Sequence, residues 1–229
     1  MSWVIAGAVT VPPAESVTTP KQVHLALTGT ASTMAVAFVT GGPLRGRASV
    51  QWGPHGNATL GLSAAATTAT YAASDMCGPP ANVSGQNGFR DPGLLHNATM
   101  TGLVPGAVYD YRVGSELDGW SAAFSFSAAP APGTPVRFVA YGDQSIDEGG
   151  VNTSLAVQAA GLAGDAQFCL VNGDLGYAMG QGWVWDAYGA QVQPATAIVP
   201  HAFQIGNHER VRYFAALGAE RSDAWSRCA

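Results

Sequence analysis

The residues best suited to chemistry in this 229-residue chain stand at the ends of three short apolar runs. The runs and their final polar residues are VRFVAYGD with Asp143, AQFCLVNGD with Asp174, and IVPHAFQIGN with Asn207. Carboxylate and amide oxygens bind hard cations, and a neighbouring imidazole, that of His208, widens the choice to iron, zinc or manganese. Tyr177, three residues after Asp174, adds a phenolate if a strongly acidic metal removes its proton. Together these residue types predict a metal site.

Each strand-end dipeptide carries little weight alone, because Gly-Asp is a common turn and Asn-His can cap a helix. Asp143, Asp174 and Asn207 are, however, 31 and 33 residues apart, which is one strand–helix unit each time. Two metal ions about 3.5–4 Å apart can share a bridging carboxylate and activate a water for attack on phosphorus. Because no single loop surrounds two ions, such chemistry needs ligands from several strand ends.

Two segments between the strand ends have helical composition, residues 152–164 and residues 182–195, the second being helical until Pro194. Apolar strands that alternate with helices predict a parallel βαβαβ sheet with right-handed crossovers. Ligands of such sheets bind outside the carboxyl ends of the strands, because the loops there open on one side. The three polar strand ends are therefore expected along one edge of the sheet.

Residues 20–130 have a different sequence pattern, in which short segments of alternating apolar and polar residues are separated by Gly, Pro, Asn and Asp. Repeated short strands with turn signals predict an antiparallel β-sandwich, although the Ala-rich stretch 60–74 suits either strand or helix. The connector APAPGTP at residues 129–135 predicts a domain boundary. The predicted organisation is thus a β domain at 20–130 followed by an α/β domain at 135–229.

Composition narrows the class of protein. Only 11% of the residues are charged, the net charge is −5, and the ten Lys and Arg residues form no run, which argues against nucleic-acid binding. The apolar stretches are too short for a membrane span. The start of the chain is not a convincing signal peptide, but four acceptor sequons favour a secreted, cell-wall or vacuolar glycoprotein: Asn57, Asn82, Asn97 and Asn152.

Three motifs, YGDQ, NGDLGYAMGQGWVWD and IGNHE, resemble the first three of the five blocks that define the purple acid phosphatases, within the metallophosphoesterases. The upstream segments SDMCGPPAN, GFRDPGLLHNATMTGLVPGAVYDYRVGS and GWSAAFSF resemble the fibronectin-III-like domain of the large plant-type members. The resemblance covers roughly residues 20–210. It implies a fibronectin-III-like sandwich at 20–130 and a partial calcineurin-like metallophosphoesterase domain at 135–229.

The resemblance also implies a role for each strand-end residue. Asp143 is expected to bind a ferric ion, Asp174 to bridge both metals, and Tyr177 to be the tyrosinate ligand that colours the family. Asn207 is expected to bind a divalent zinc, manganese or iron ion. His208 is expected to assist at the substrate phosphate, with Glu209 supporting it. The implied reaction is hydrolysis of phosphate monoesters at acidic pH by a metal-bound hydroxide.

The sequence departs from the family pattern in two places. The first block usually continues Gly-Asp-x-Gly, whereas Gln144 and Ser145 follow Asp143 here. The fourth and fifth blocks, Val-x-x-His and Gly-His-x-His, are absent, and residues 210–229 no longer resemble the family. The resemblance therefore predicts a chain truncated at its C-terminal end, with an incomplete ligand set and weak or no activity.

Two other functions stay open at this point. One is a non-catalytic secreted glycoprotein with a vestigial metal site, in which the β domain mediates binding. The other is a phosphodiesterase or nucleotide pyrophosphatase of the same fold, because the sequence is silent on substrate choice. The oligomeric state and the disulfide pairing also stay open, and Cys169 within an apolar run is expected to be a buried, inert thiol.

Overall fold

A computed structural model describes residues 16–57 and 59–209, and antiparallel strands dominate its N-terminal part. These strands are β1 (Lys21–Leu27), β2 (Met34–Thr40), β3 (Ser49–Pro54), β4 (Leu62–Ala65), β5 (Thr67–Ala69), β6 (Leu94–Met100), β7 (Val108–Ser115), β8 (Gly119–Trp120) and β9 (Phe124–Ser127). One sheet has the order β1-β2-β6-β5, and the other has the order β4-β3-β7-β8, with β9 also pairing with β7.

The two sheets share one apolar core, which follows from the alternation of their sequences. Every second residue of the central strands is buried, including Val36 and Phe38 of β2 and Tyr111 and Val113 of β7. Since successive side chains of a strand point to opposite faces, one face of each sheet is apolar and packs against the other. The predicted β-sandwich is confirmed.

The Ala-rich stretch forms strands rather than a helix. Its residues build β4 and β5, which pair with β3 and β6, and a single 3₁₀ turn follows at Ala73–Asp75. The threonines Thr67 and Thr68 explain this outcome, because β-branched side chains favour the extended backbone.

The second part of the chain contains a parallel sheet. Its strands are β10 (Phe138–Tyr141), β12 (Phe168–Asn172) and β14 (His201–Gln204), in the order β10-β12-β14, and two short strands, β11 (Gln144–Ser145) and β13 (Leu175–Gly176), form a separate parallel pair. The connecting helices are α1 (Glu148–Leu162) and α2 (Gly182–Thr196). The predicted α/β arrangement is confirmed.

Both helices differ in their bounds from the expectation, and α1 also ends at Leu162, two residues before residue 164. Helix α1 begins four residues before residue 152, because the Asp147 carboxylate accepts a hydrogen bond from Gly150 N at 3.0 Å and caps it. Helix α2 continues two residues beyond Pro194. A proline so close to the C-terminal end removes a single intrahelical hydrogen bond, and Ala197 N restores the last turn by donating to Gln193 O at 2.9 Å.

Helices α1 and α2 cover only one face of the parallel sheet. Val139, Cys169 and Val171 pack there against Val157 of α1 and Val192 of α2. The opposite face presents Phe138, Ala140, Leu170 and Ala202 to solvent, with Phe138 50% and Leu170 39% exposed. Parallel sheets are normally covered on both faces, so it is unusual that no helix or strand of the described residues covers this apolar face.

Helix α2 fixes the sandwich against the α/β part. The Tyr111 hydroxyl, buried in the sandwich core, donates to Ala197 O at 2.6 Å. The Thr196 hydroxyl donates to Val23 O at 2.9 Å, and Val23 N donates to the Gln193 side-chain oxygen at 3.0 Å. Strand β1 is thereby held beside the C-terminal half of α2. Neither helix in the described residues is long and apolar enough to cross a membrane.

Candidate metal site

The carboxyl ends of the three parallel strands lie side by side. Tyr141 is paired with Val171, and Val171 is paired with Phe203, so the three strands run in register. Asp143 and Asp174 follow the ends of β10 and β12 by two residues, and Asn207 follows the end of β14 by three. The parallel topology therefore places all three positions at one edge of the sheet.

The short pair β11 and β13 aligns the first two loops. Gln144 is paired with Leu175, Ser145 is paired with Gly176, and Asp143 N donates to Gly173 O at 3.2 Å. Asp143 and Asp174 directly precede these two-residue strands. Their backbones are consequently held by a second layer of parallel pairing beyond the main sheet.

Three of the predicted metal ligands have strained backbones. The φ angles of Asp143, Asp174 and Tyr177 are 55°, 56° and 54°, in the left-handed region that residues with a side chain seldom adopt. Each such residue costs about 1–3 kcal/mol, and such strain is concentrated at functional sites. The clustering of three strained residues at this edge makes it a candidate functional site.

Tyr177 and Asp143 are directly bonded. The Tyr177 hydroxyl donates to Asp143 Oδ1 at 2.7 Å, so two oxygen atoms from different loops converge on one point. The hydrogen bond to Asp143 is the main reason why the pKa of Tyr177 is raised to about 12, and the charges of Asp174 and Glu209 act in the same direction. The phenol therefore keeps its proton at neutral pH unless another cation takes the place of that proton.

His208 lies over the same pair of loops. Its backbone N donates to Asp174 Oδ1 at 2.9 Å, and its ring packs at 4.6 Å between centroids from the ring of Tyr177. The ring atom His208 Nδ1 is buried and has no hydrogen-bond partner among residues 16–57 and 59–209. An unsatisfied buried polar atom costs about 1–3 kcal/mol, so a ligand that bonds to it would recover free energy.

Glu209 ties the second and third loops together. Its carboxylate accepts hydrogen bonds from Asp174 N at 2.8 Å, Leu175 N at 2.6 Å and Gly206 N at 2.6 Å. The sequence motif suggested a supporting role for this residue beside His208. The structure gives it a different partner, the backbone of the Asp174 loop, which it holds in its strained conformation.

Close backbone contacts explain two of the glycines. A side chain on Gly206 would collide with the Asp174 carboxylate, and one on Gly173 would collide with the backbone of Gly206. Both glycines therefore allow the loops after β12 and β14 to touch. Asn207, between Gly206 and His208, is exposed, and its side chain forms no hydrogen bond with the part of the chain that the structure describes.

Gln144, the first residue of the departure from the family pattern, belongs to the protein interior. Its side-chain nitrogen donates to Ser154 Oγ at 2.9 Å and to Gly150 O at 3.2 Å, and its side-chain oxygen accepts from the Tyr188 hydroxyl at 3.0 Å. This fully bonded amide joins β11 to α1 and α2. Nothing in the sequence pattern indicated that a glutamine would fill this role.

The remaining predicted positions lie away from the strand-end site. His201, the first residue of β14, is buried at the amino end of the strand, and burial raises the pKa of the Cys169 thiol to about 11. The asparagines of all four sequons are exposed. Residues 210–229 lie outside the described residues. Within residues 16–57 and 59–209, no three His, Cys, Asp or Glu side chains form a metal-binding group.

Comparison with known proteins identifies the family. A model of the purple acid phosphatase N-terminal domain matches residues 20–128. The chain is 32% identical over 207 residues to "Probable inactive purple acid phosphatase 9" of Arabidopsis thaliana, covering 85% of this chain and 31% of that protein. The structure of purple acid phosphatase PPD1 from yellow lupin (Lupinus luteus) seeds superposes with a TM-score of 0.76 at 29% identity over 92% of this chain and 39% of the lupin chain. The chain belongs to the purple acid phosphatase family.

A mouse protein is also similar to this chain. "Acid phosphatase type 7" of Mus musculus is 30% identical over 196 residues, which is 84% of this chain and 41% of the mouse protein. The chain thus spans between 31% and 41% of the length of these relatives. A structure of PhoD, at 13% identity and a TM-score of 0.51, shares the fold alone.

Proposed function

We propose that this purple acid phosphatase chain takes part in the hydrolysis of phosphate monoesters, and that the carboxyl edge of its parallel sheet binds the metal ions for this reaction. In this proposal Asp143, Asp174 and Tyr177 hold a ferric ion, and Asp174 together with Asn207 holds a divalent zinc, manganese or iron ion. The observation that carries the proposal is the meeting of Tyr177 and Asp143 at 2.7 Å between two strained loops.

The residues fit one hard cation. The Tyr177–Asp143 pair offers two oxygen atoms that already converge on a shared proton, and a cation can replace that proton. The Asp174 carboxylate uses Oδ1 for His208 N and has no donor to Oδ2 among the described residues, so that oxygen is free to bind. An all-oxygen set with a phenolate suits a trivalent or divalent hard metal.

The fit to a second cation is weaker. Asp174 and Asn207 are the two donors that the family pattern assigns to it here, and both donate oxygen rather than imidazole nitrogen. Fewer ligands bind a divalent ion more weakly. The second position is therefore expected to fill only at high metal concentration in the 229-residue polypeptide.

The chain's own residues can bind and orient the substrate. A bound metal pair polarises a phosphoryl oxygen and lowers the pKa of a water. The His208 ring packs beside Tyr177 at the strand ends, and we assign it the role of hydrogen-bond donor to a phosphate oxygen or to the leaving group. Through its three hydrogen bonds with backbone amides, Glu209 holds the loop that carries Asp174 against the loop that carries His208.

The catalytic test uses p-nitrophenyl phosphate at acidic pH with added iron and zinc. We expect slow turnover by the 229-residue chain and loss of that turnover in Asp174→Ala. Asp165→Ala is the matched control, because that carboxylate is exposed and, among the described residues, pairs with Arg137 alone at 3.6 Å. Unchanged turnover by Asp174→Ala would contradict the assignment. A panel of phosphate diesters in the same assay tests the phosphodiesterase alternative.

A non-catalytic function is the second candidate. It is favoured by the absence of any cluster of three His, Cys, Asp or Glu side chains in the described residues, and by the names of four Arabidopsis thaliana relatives that are termed probable inactive purple acid phosphatases. If the purified chain binds metal at the strand ends but hydrolyses neither monoesters nor diesters, this candidate replaces the catalytic one.

The proposed location is the secretory pathway. The four sequon asparagines, Asn57, Asn82, Asn97 and Asn152, are all exposed and so leave room for a glycan. Expression in a glycosylating host followed by enzymatic deglycosylation should reduce the mass of the chain. An unchanged mass would remove this support for secretion.

A further inference from the structure

A cavity lies where the sandwich meets the start of α2, away from the strand-end residues. It has a volume of about 540 Å³, is open to solvent and is lined by Gly85, Gln86, Asn87, Arg90 and Trp183. Small-molecule sites typically measure roughly 300–1,000 Å³ and combine an apolar surface with a few polar groups. This cavity has both, in the ring of Trp183 and in its amide and guanidinium groups.

The walls of the cavity are held together by the backbone. Gly182 N donates to Gly88 O at 2.8 Å, which joins α2 to the loop after Gly85. That loop is closed by Phe89 N, which donates to Val83 O at 2.8 Å. A side chain on Gly182 would lie 2.7 Å from Arg90 Cβ, so only glycine allows this approach. The backbone on the two sides of the cavity is therefore held together.

Trp183 offers a flat platform. The indole Nε1 donates to the Gln181 side-chain oxygen at 2.9 Å, and this bond fixes the ring while 40% of the residue stays exposed. The face of an aromatic ring carries partial negative charge, so it attracts polarised C–H groups. The C–H-rich face of a sugar ring fits such a platform.

The charge in the cavity is compensated. Arg90 Nε lies 3.1 Å from Asp186 Oδ2, and the two terminal nitrogens of Arg90 form no hydrogen bond within the described residues. The neighbouring amides of Gln86 and Asn87 are exposed. Because Asp186 offsets the guanidinium and the chain carries a net charge of −5, an anion gains little here. Uncharged hydroxyl groups can accept hydrogen bonds from the terminal nitrogens of Arg90 without depending on the net charge of the cavity.

We propose that this cavity binds a neutral saccharide, with one sugar ring packed on Trp183 and its hydroxyl groups bonded to Arg90, Gln86 and Asn87. The site uses none of the strand-end residues. The saccharide proposal can therefore be tested independently of the phosphatase proposal.

The test is a titration of the full 229-residue chain with neutral trisaccharides of glucose, mannose or xylose, followed by tryptophan fluorescence and calorimetry. We expect at least one of them to bind with a roughly millimolar Kd. Trp183→Ala should weaken that binding at least about tenfold, a difference of about 1.4 kcal/mol. Trp185→Ala is the matched control, because Trp185 is a partly exposed tryptophan of the same helix that does not line the cavity.

Circular dichroism and the thermal midpoint verify that each variant is folded. Arg90→Lys is a second variant, which keeps the positive charge but loses the planar set of hydrogen-bond donors. The proposal is overturned if none of the trisaccharides binds, or if Trp183→Ala binds as tightly as the wild type. Tighter binding of orthophosphate or adenosine monophosphate than of any trisaccharide, lost in Arg90→Ala, would also overturn it in favour of an anion site.

Discussion

His201 should make the stability of this protein depend on acidic pH. Only 3% of the residue is exposed, its Nδ1 bonds to Val199 O at 2.7 Å, and its Nε2 has no partner in the described part of the chain. Burial is the main reason why the pKa of His201 falls from 6.5 to about 4, and the nearby His24 lowers it further. Between these two pH values the unfolded chain binds a proton that the folded chain excludes.

The free energy of unfolding should therefore be unaffected by His201 above pH 6.5 and should fall as the pH decreases to about 4. The gap between the two pKa values corresponds to a loss of roughly 3 kcal/mol. His201→Asn retains a donor to Val199 O and removes the titrating ring. Urea unfolding of both proteins from pH 8 to pH 4 measures the difference, and the value at pH 8 gives the pH-independent cost of the substitution. Parallel wild-type and variant profiles would refute the reasoning.

Two further predictions concern the strand ends and the uncovered sheet face. Glu209→Gln removes an acceptor from the loop contacts, so hydrogen exchange of the Asp174 and Leu175 amides should accelerate, with a local loss of stability of about 1–3 kcal/mol. Glu148→Gln, on the exposed start of α1, is the control and should leave the exchange of those amides unchanged. Equal exchange in both variants would contradict the proposed role of Glu209. Leu170→Lys should reduce concentration-dependent self-association in sedimentation velocity, because it places a charge on the uncovered apolar face of the parallel sheet. Leu155→Lys, at an exposed position of α1, is the control. An equal reduction by both substitutions would exclude the sheet face as the contact between copies.

The sequence predicted the strand-end geometry because its signal is local and periodic. Each apolar run is the length of a strand and ends in a glycine and an oxygen-bearing residue, and parallel topology then places Asp143 and Asp174 at the same edge of the sheet. The same local rules failed for β11 and β13, because two-residue strands leave no periodic pattern. They also placed the end of α2 at Pro194, whereas hydrogen bonds of Gln193 and Thr196 with Val23 of β1 hold the helix to Thr196.

The interactions that complete the site could not be predicted from spacing. The three backbone bonds of Glu209 depend on how closely the loops after β12 and β14 approach, which follows from packing at Gly173 and Gly206. The burial of Gln144 likewise depends on Ser154 and Tyr188 arriving from two different helices. Such contacts are tertiary, so residue types alone do not indicate them.

The most direct test of the proposed metal site is a titration of the 229-residue chain with ferric ion, followed by visible absorption. If Tyr177, Asp143 and Asp174 hold the ion, a tyrosinate-to-iron charge-transfer band should appear in the wild type and in Tyr71→Phe, a partly exposed tyrosine of the β domain. The band should be absent in Tyr177→Phe, with weaker iron binding. A band of equal intensity and affinity in Tyr177→Phe, or no iron binding by the wild type, would contradict the assignment of this edge as a metal site.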